Sequence, residues 1–452
     1  MLVNYIFKIN SGEYCTKIPV RRIRKTNNLN VILTVLILNL IIYTSYNDAH
    51  SSADILILND LINIAIEKNP QLRSLYSAIR ADSAKIPQAG ALPDPILSLS
   101  MMNLPANSFA LDQEPMTGKQ ISLMQQFPFP GKLSLKEDIS SEAAAIATSN
   151  YQEYQNQIIQ DLKIAYYDLF VLDKSIEVAR NNQQLLNEFV EIAQSKYRVG
   201  RGIQQDVLKA QVELSKMIDR LIQLEQKREV RQAQINTILN QPVNTPLGRA
   251  NEPDFIILEQ SLNTLQMTAK LNRPLLTGWE SMRNQSRLKV DLAKKDYWPD
   301  FTIFLAYTQR DELQNGSPGY DFFSGGISLN LPIYSANKQS KKVEESMYSK
   351  NMIEERYQQI LNQIYFELEN KLSSAKKNAK LVELFKTGII PQASQSLESA
   401  LTGYQTDKVD FLTLINNQIT LFNYELDYYR VLSDYNKDLA SLEYITGTQF
   451  TN

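Results

Sequence analysis

The chain is nearly without thiol and imidazole: it has one cysteine, Cys15, and one histidine, His50, in 452 residues. Both stand ahead of the stretch that reads as folded, so the body of the protein has neither group. That rules out a disulfide framework and zinc sites built on Cys and His. Cysteine nucleophiles and Ser-His-Asp catalysis lose their necessary groups by the same count. Glycine is scarce, with 15 residues, and no GxxxxGK[ST] loop is present to cradle a nucleotide. A charge of one sign is missing too: Lys+Arg 47 against Asp+Glu 49 leaves a net −2, which gives nucleic acid no basic surface to neutralise. These gaps point away from an enzyme and away from a bound cofactor or metal. What is present is enough apolar residue, 43%, to bury a core.

Long apolar runs are also few. Arg21, Arg22, Arg24 and Lys25 precede one from Val31 to Tyr43, about 13 residues, which has the build of a secretory signal. It is short for a permanent span, which needs nearer ~20 residues. Ser51-Ser52-Ala53 offers small residues for cleavage, so residues 1–53 are expected to be a leader.

Beyond the leader the chain repeats itself at a distance of about 207 residues, a signal sought before all others. Leu92-Pro93-Asp94 is answered by Trp298-Pro299-Asp300, Ile121-Ser122-Leu123 by Ile327-Ser328-Leu329, and Tyr197-Arg198-Val199-Gly200 by Tyr404-Gln405-Thr406-Asp407. Each half, 54–248 and 249–452, reads as helix, strand, polar loop, strand, proline-marked corner, very long helix, turn and second long helix. Strands follow from alternation: Leu97, Leu99 and Met101 fall on one face and Ser98 and Ser100 on the other. The expected hairpins lie at 95–127 and 299–332. Helical hairpins are expected at 133–240 and 338–446. From Leu133 to Arg198 neither proline nor glycine interrupts, and roughly 65 helical residues reach about 100 Å. A 3-4 apolar spacing, Val207, Ala210, Leu214, Met217, Leu221 and Leu224, marks a coiled-coil seam. It is answered by Leu414, Asn417, Leu421, Tyr424, Tyr428 and Val431.

Four strands with one apolar face leave open edges, and in lipid each unsatisfied backbone group costs several kcal/mol. Closure is the physical solution, and four strands are too few to close around a pore. Copies must therefore pool their strands, and three would give twelve. The expected fold is mainly α with a membrane β-barrel: duplicated strand-strand/long-helix repeats, with a trimeric twelve-stranded barrel on a coiled-coil helical tunnel. A periplasmic coiled-coil adaptor is the alternative, but it would use one helical hairpin where this chain has two.

The duplicated plan, the corner FPFPGKL (Phe127 to Leu133), the LPIY corner (Leu331 to Tyr334) and the two tyrosine-led turns resemble the TolC-like outer-membrane efflux proteins. FPFPGKL resembles most the branch serving cation and heavy-metal efflux. The resemblance implies a homotrimeric exit duct in the bacterial outer membrane, with its helices in the periplasm. An adaptor (membrane fusion) protein and an inner-membrane pump of RND or ABC type would complete a tripartite efflux or type I secretion system. It implies adaptor docking at Tyr197, Arg198, Val199, Gly200, Tyr404, Thr406 and Asp407, and a gate near Asp206, Asp410, Thr413 and Asn416. Asp206 and Asp410 also suit the capping of helix N-termini. Met101, Met102, Met116 and Met124 suggest a copper cluster at first sight, but they fit packing or lipid contact better.

Overall fold

The computed structural model describes residues 55–450. The leader expected over 1–53, with Cys15 and His50, lies outside the described residues.

The first half runs β1 (Ile55–Leu56), α1 (Leu58–Lys68), α2 (Pro70–Gly90), β2 (Ile96–Met102), β3 (Gly118–Phe127), α3 (Lys132–Arg198) and α4 (Gln204–Ile238). The second half runs β4 (Arg249–Ala250), α5 (Leu262–Asn272), α6 (Pro274–Lys295), β5 (Phe301–Gln309), β6 (Phe322–Leu329), α7 (Gln339–Leu384), a π-turn (Phe385–Ile389), α8 (Ile390–Gln405) and α9 (Phe411–Thr446). Caps explain the boundaries. The Asn69 carboxamide accepts from Gln71 N at 2.9 Å and Leu72 N at 3.1 Å, with Pro70 at the first helical position, where its missing N–H costs nothing. Pro274 likewise opens α6 at its first turn, there without a side-chain cap. Pro128 and Pro130 stop β3, and Gly131, in the left-handed conformation at φ 85°, starts the 67-residue α3.

The two halves join along their whole length. β1 and β4 form a short parallel bridge, and the two hairpins share one antiparallel sheet in the order β2-β3-β5-β6. Its register sorts the side chains by chemistry. Leu97, Leu123 and Leu305 stand abreast, as do Leu99, Ile121, Tyr307 and Phe323. The alternate rows place Ser98, Ser122, Ala306 and Ser324 together, then Ser100, Gln120, Thr308 and Phe322, with Ile96, Met124, Phe304 and Gly326 in a further row. One face is therefore mainly apolar, and the other mixes Ser, Thr and Gln with a few apolar groups such as Met124 and Phe304. Both outer strands have a partner on one side only.

Below the sheet the helices bury three apolar clusters. One gathers Leu61, Leu162, Phe170 and Ile235. Another gathers Leu265, Ile364, Leu368 and Tyr435. The third, on α3, α4, α8 and α9, holds the seam residues Ala210, Met217, Leu221, Leu224 and Leu414. Charge also crosses between the halves: Lys163 on α3 and Glu443 on α9 meet at 2.5 Å with both side chains buried. Removing one member of such a pair typically costs about 3–5 kcal/mol, because the other is left uncompensated. Among the described residues no helix is long and apolar enough to cross a membrane.

Candidate functional site at the hairpin tips

The two helical hairpins turn beside each other, and their turns differ. After α3, Gly200 takes the left-handed position at φ 73°, and the Gly200 and Arg201 amides bond back to Tyr197 O (3.1 Å) and Lys196 O (2.9 Å). This is the usual glycine closure of a helix. Tyr197, Arg198, Val199 and Gly200 are all exposed there. After α8 the same position is held by Asp407, at φ 61°. Aspartate is among the few side chains that visit this region readily. Here it also supplies a carboxylate to Lys196 of the first hairpin.

Lys196 is the hub of the tip. Its ammonium donates to Tyr404 O at 2.5 Å, pairs with Asp407, and lies 4.7 Å from the Tyr404 ring centroid. Tyr404, 4% exposed, stacks at a tilt on Phe411 and donates its hydroxyl to Asp206 at 3.3 Å. A chain of contacts thus runs from α3 through the second turn to the start of α4. Burial pushes the Asp206 carboxyl above its usual range; Tyr404, Lys196 and Lys209 oppose this, and nearby Asp410 adds to it. Burial, and then the Asp206 charge, push the Tyr404 hydroxyl up. The bond from Lys196 holds Asp407 low.

Of the residues named from the sequence, the structure brings Asp206, Tyr404 and Asp407 into one cluster. Asp410 caps α9, accepting from Thr413 N at 2.7 Å, and that backbone bond keeps its carboxyl below the usual range. Asp206 is not the cap of α4, which is Ile203. Thr406 is exposed and bonds back to Thr402 O at 3.0 Å. Thr413 and Asn416 are exposed on α9 outside the cluster. Sequence reasoning missed Lys196 altogether. Its signal was a mismatch in the repeat, since the matching residue is Gly403. It also missed Asn182 and Gln418, which are hydrogen-bonded to each other and buried within the apolar seam.

Nothing at the tip gathers ligands for a metal: among the described residues no group of three or more His, Cys, Asp or Glu forms. The methionines do not gather either. Met101 and Met124 lie on opposite faces of the sheet by register.

Comparison with known proteins fits this architecture. The model of the outer membrane efflux protein family matches residues 61–241 and 265–448, one match in each half. The cobalt-zinc-cadmium resistance protein CzcC of Cupriavidus metallidurans is 20% identical over 409 residues, covering 87% of this chain and 90% of that protein. Among solved structures, the outer membrane protein VceC from Vibrio cholerae superposes with a TM-score of 0.73 at 17% identity, covering 87% of this chain and 97% of that one. CusC, described in terms of transmembrane channel formation, superposes with a TM-score of 0.74 at 12% identity, covering 89% and 96%. The chain belongs to the outer membrane efflux protein family, and its work is that of an outer-membrane exit duct and not of an enzyme.

Proposed function

We propose that three copies of this chain close their sheets into one twelve-stranded barrel above a shared helical tunnel. The reading is carried by a sheet with one apolar face and both borders unpaired. Leu99 and Phe323, on that face, are 77% and 75% exposed in the single chain, a solvent exposure that lipid relieves. Strands of 7 to 10 residues come close to the tilted span of about 9–11 that a bilayer asks for. The helices point the same way. Leu208, Val212, Ile218 and Ile222 leave an apolar stripe uncovered on α4, and Tyr348, Met352 and Phe366 leave exposed apolar groups on α7. A neighbouring copy would cover both.

At the periplasmic end, the first turn (Tyr197, Arg198, Val199 and Gly200) is the surface open to an adaptor's helical hairpin, and Thr406 and Asp407 extend it. The contacts of Lys196, Tyr404, Asp407 and Asp206 clasp the hairpins together. Asp206 and Asp410, with Thr413 and Asn416, contribute the polar rim of the gate. An inner-membrane pump supplies the energy. The FPFPGKL corner and the likeness to a cobalt-zinc-cadmium resistance protein favour divalent transition-metal cations as cargo, selected by the pump and not by this chain.

Engineered disulfides test the barrel. With Cys15 replaced, single cysteines along β2 are paired in turn with single cysteines along β6 of the same chain. Oxidation should link each subunit to the next and give a covalent trimer in outer-membrane fractions for at least one register. A monomer at every register overturns the reading.

A further inference from the structure

The FPFPGKL corner is more than the end of a strand. Its Phe127 stacks on Phe301 at a centroid distance of 5.3 Å, and its Phe129 stacks on Trp298 at 5.2 Å. Phe127 and Phe301 continue the rows of the apolar face, so the aromatic column descends from that face toward the helices. Trp298 is 58% exposed. Immediately below stands Lys295, the last residue of α6. Its ammonium lies 5.8 Å from the Phe129 ring centroid and donates to Pro130 O at 3.2 Å. The left-handed Gly131 makes room for it, since a Cβ at that residue would stand 2.8 Å from the Lys295 nitrogen. The other lysine of the corner, Lys132, has a different task. It is buried and bonds Asp300 at 2.8 Å and Trp298 O at 3.1 Å, which locks the column in place.

Lys295 differs from its neighbours. Lys294 pairs with Asp291, Lys342 with Asp296 and Lys132 with Asp300. Among the described residues no carboxylate lies within ion-pair distance of Lys295. An ammonium has three donors, and the one bond to Pro130 O leaves two unspent. An exposed tryptophan on half-buried aromatic rings at the end of an apolar band, followed by a cation, is the arrangement that settles at a lipid headgroup boundary.

We propose that this corner is a binding site for an anionic phospholipid of the periplasmic leaflet. The acyl chains lie along the apolar face, Trp298 and Phe129 sit at the glycerol level, and Lys295 holds the headgroup phosphate. Continuity with the apolar face and the charge of Lys295 select a lipid phosphate over a free one, which would gain nothing from the rings. The LPIY corner of the second repeat has no counterpart of Gly131, and among the described residues no lysine lies over the ring of Tyr334, which is 75% exposed. Each subunit therefore carries one such site.

The inference rests on the barrel reading, and its test scores the two separately. Purified trimer is reconstituted in phosphatidylethanolamine vesicles containing about one part in five of phosphatidylglycerol, and the lipid retained after detergent extraction is measured by native mass spectrometry. Wild type should retain phosphatidylglycerol above its share of the vesicle. Lys295→Gln should lower that retention about fivefold, the size expected for one lysine at a charged surface. Lys295→Arg should preserve it, and Gly131→Ala, which displaces the ammonium, should fall with Lys295→Gln. Equal retention by wild type and Lys295→Gln, with the β2–β6 cross-link intact, overturns the site. So does competition by millimolar inorganic phosphate, which would mark a free-anion site. Failure of every β2–β6 cysteine pair to cross-link in chains that keep Lys295 counts against the barrel beneath it.

Discussion

The two halves of the molecule agree at the membrane end and part company at the tips. In the sheet they are near equivalents: Ile121, Ser122 and Leu123 of the first half are answered by Ile327, Ser328 and Leu329 of the second, with the leucines on the apolar face and the serines on the other. At the tips, the places of Lys196, Gly200, Ile203 and Asp206 are taken by Gly403, Asp407, Asp410 and Thr413. Each substitution has a consequence. Lys196 has no like-charged twin to repel it and reaches across to Asp407. Tyr197 is exposed while Tyr404 is buried. A duplicated chain keeps its repeats alike where both meet the same surroundings, which on the proposed barrel reading is lipid. It lets them diverge where they must recognise each other.

The largest effect should come from breaking the part that is alike. Leu123→Arg and Leu305→Arg each put a cation on the apolar face, at about 2–4 kcal/mol per copy near the bilayer midplane. Both should abolish assembled trimer in outer-membrane fractions to the same degree, whereas Ser122→Arg on the opposite face should not. If Ser122→Arg is the damaging change and Leu123→Arg is tolerated, the two faces have been assigned the wrong way round.

The tips should respond unequally. Lys196→Met deletes bonds to a carbonyl and a carboxylate, and bonds to charged groups are worth about 1.5–3 kcal/mol. Single-channel recordings should show conductance rising severalfold, with trimer yield unchanged. Arg198→Met, two residues on and exposed, should leave conductance alone and weaken adaptor binding instead. Equal conductance changes in both variants would remove the distinction between clasp and docking surface.

The part of the fold that was legible in the sequence depended on neighbours along the chain. Alternation in Ile96–Met102, the proline corners, and the run without Gly or Pro from Leu133 to Arg198 are local patterns, and each became the element it suggested. The clasp was not legible, because Lys196 and Tyr404 lie 208 residues apart. Nothing near Lys196 shows which turn it will meet. Asp206 was picked out as a candidate, but its bond to Tyr404 depends on how the hairpins pack. The break in the second long helix was missed for a subtler reason. Pro391 has no N–H to give to the carbonyl of Thr387, and the helix adjusts upstream by widening into the π-turn at Phe385–Ile389. The first half has no proline there, and α3 is unbroken.

That break gives a smaller and sharper test of the comparison. Gly388 sits inside the π-turn, and a Cβ there meets only Leu384 Cδ1 at 3.7 Å, an ordinary contact. Gly388→Ala should therefore stabilise the helix by about 0.4–1 kcal/mol by restricting the unfolded chain. If the turn lets the second hairpin move while the first stays rigid, the same variant should reduce opening events without altering open conductance. Ala179→Gly, at a buried position of unbroken α3, should cost stability and leave gating events as they are.

The smallest effect is the response to pH, and its sign separates the carboxylates of the tip. Asp206 has its pKa raised by burial, so its contribution is fully present below the unfolded-state pKa. That contribution is lost as pH rises through the folded value, where the carboxylate must charge in a partly buried place. Asp407 and Asp410 have theirs lowered by bonds to the charged form. Their contributions are present above the usual aspartate range and fade as pH falls through the lowered values. Thermal melting of the trimer should thus improve slightly as pH drops from neutral toward the raised Asp206 value. It should worsen below the ordinary carboxylate range, as Lys196 loses its partner. Asp206→Asn should erase the improvement and keep the acid loss, while Asp407→Asn should blunt the acid loss alone. Since the first carboxylate belongs to one half and the other two to the second, each limb of the profile reports on one repeat, and a profile unchanged in both variants would mean that the tips are as alike in energy as the strands are.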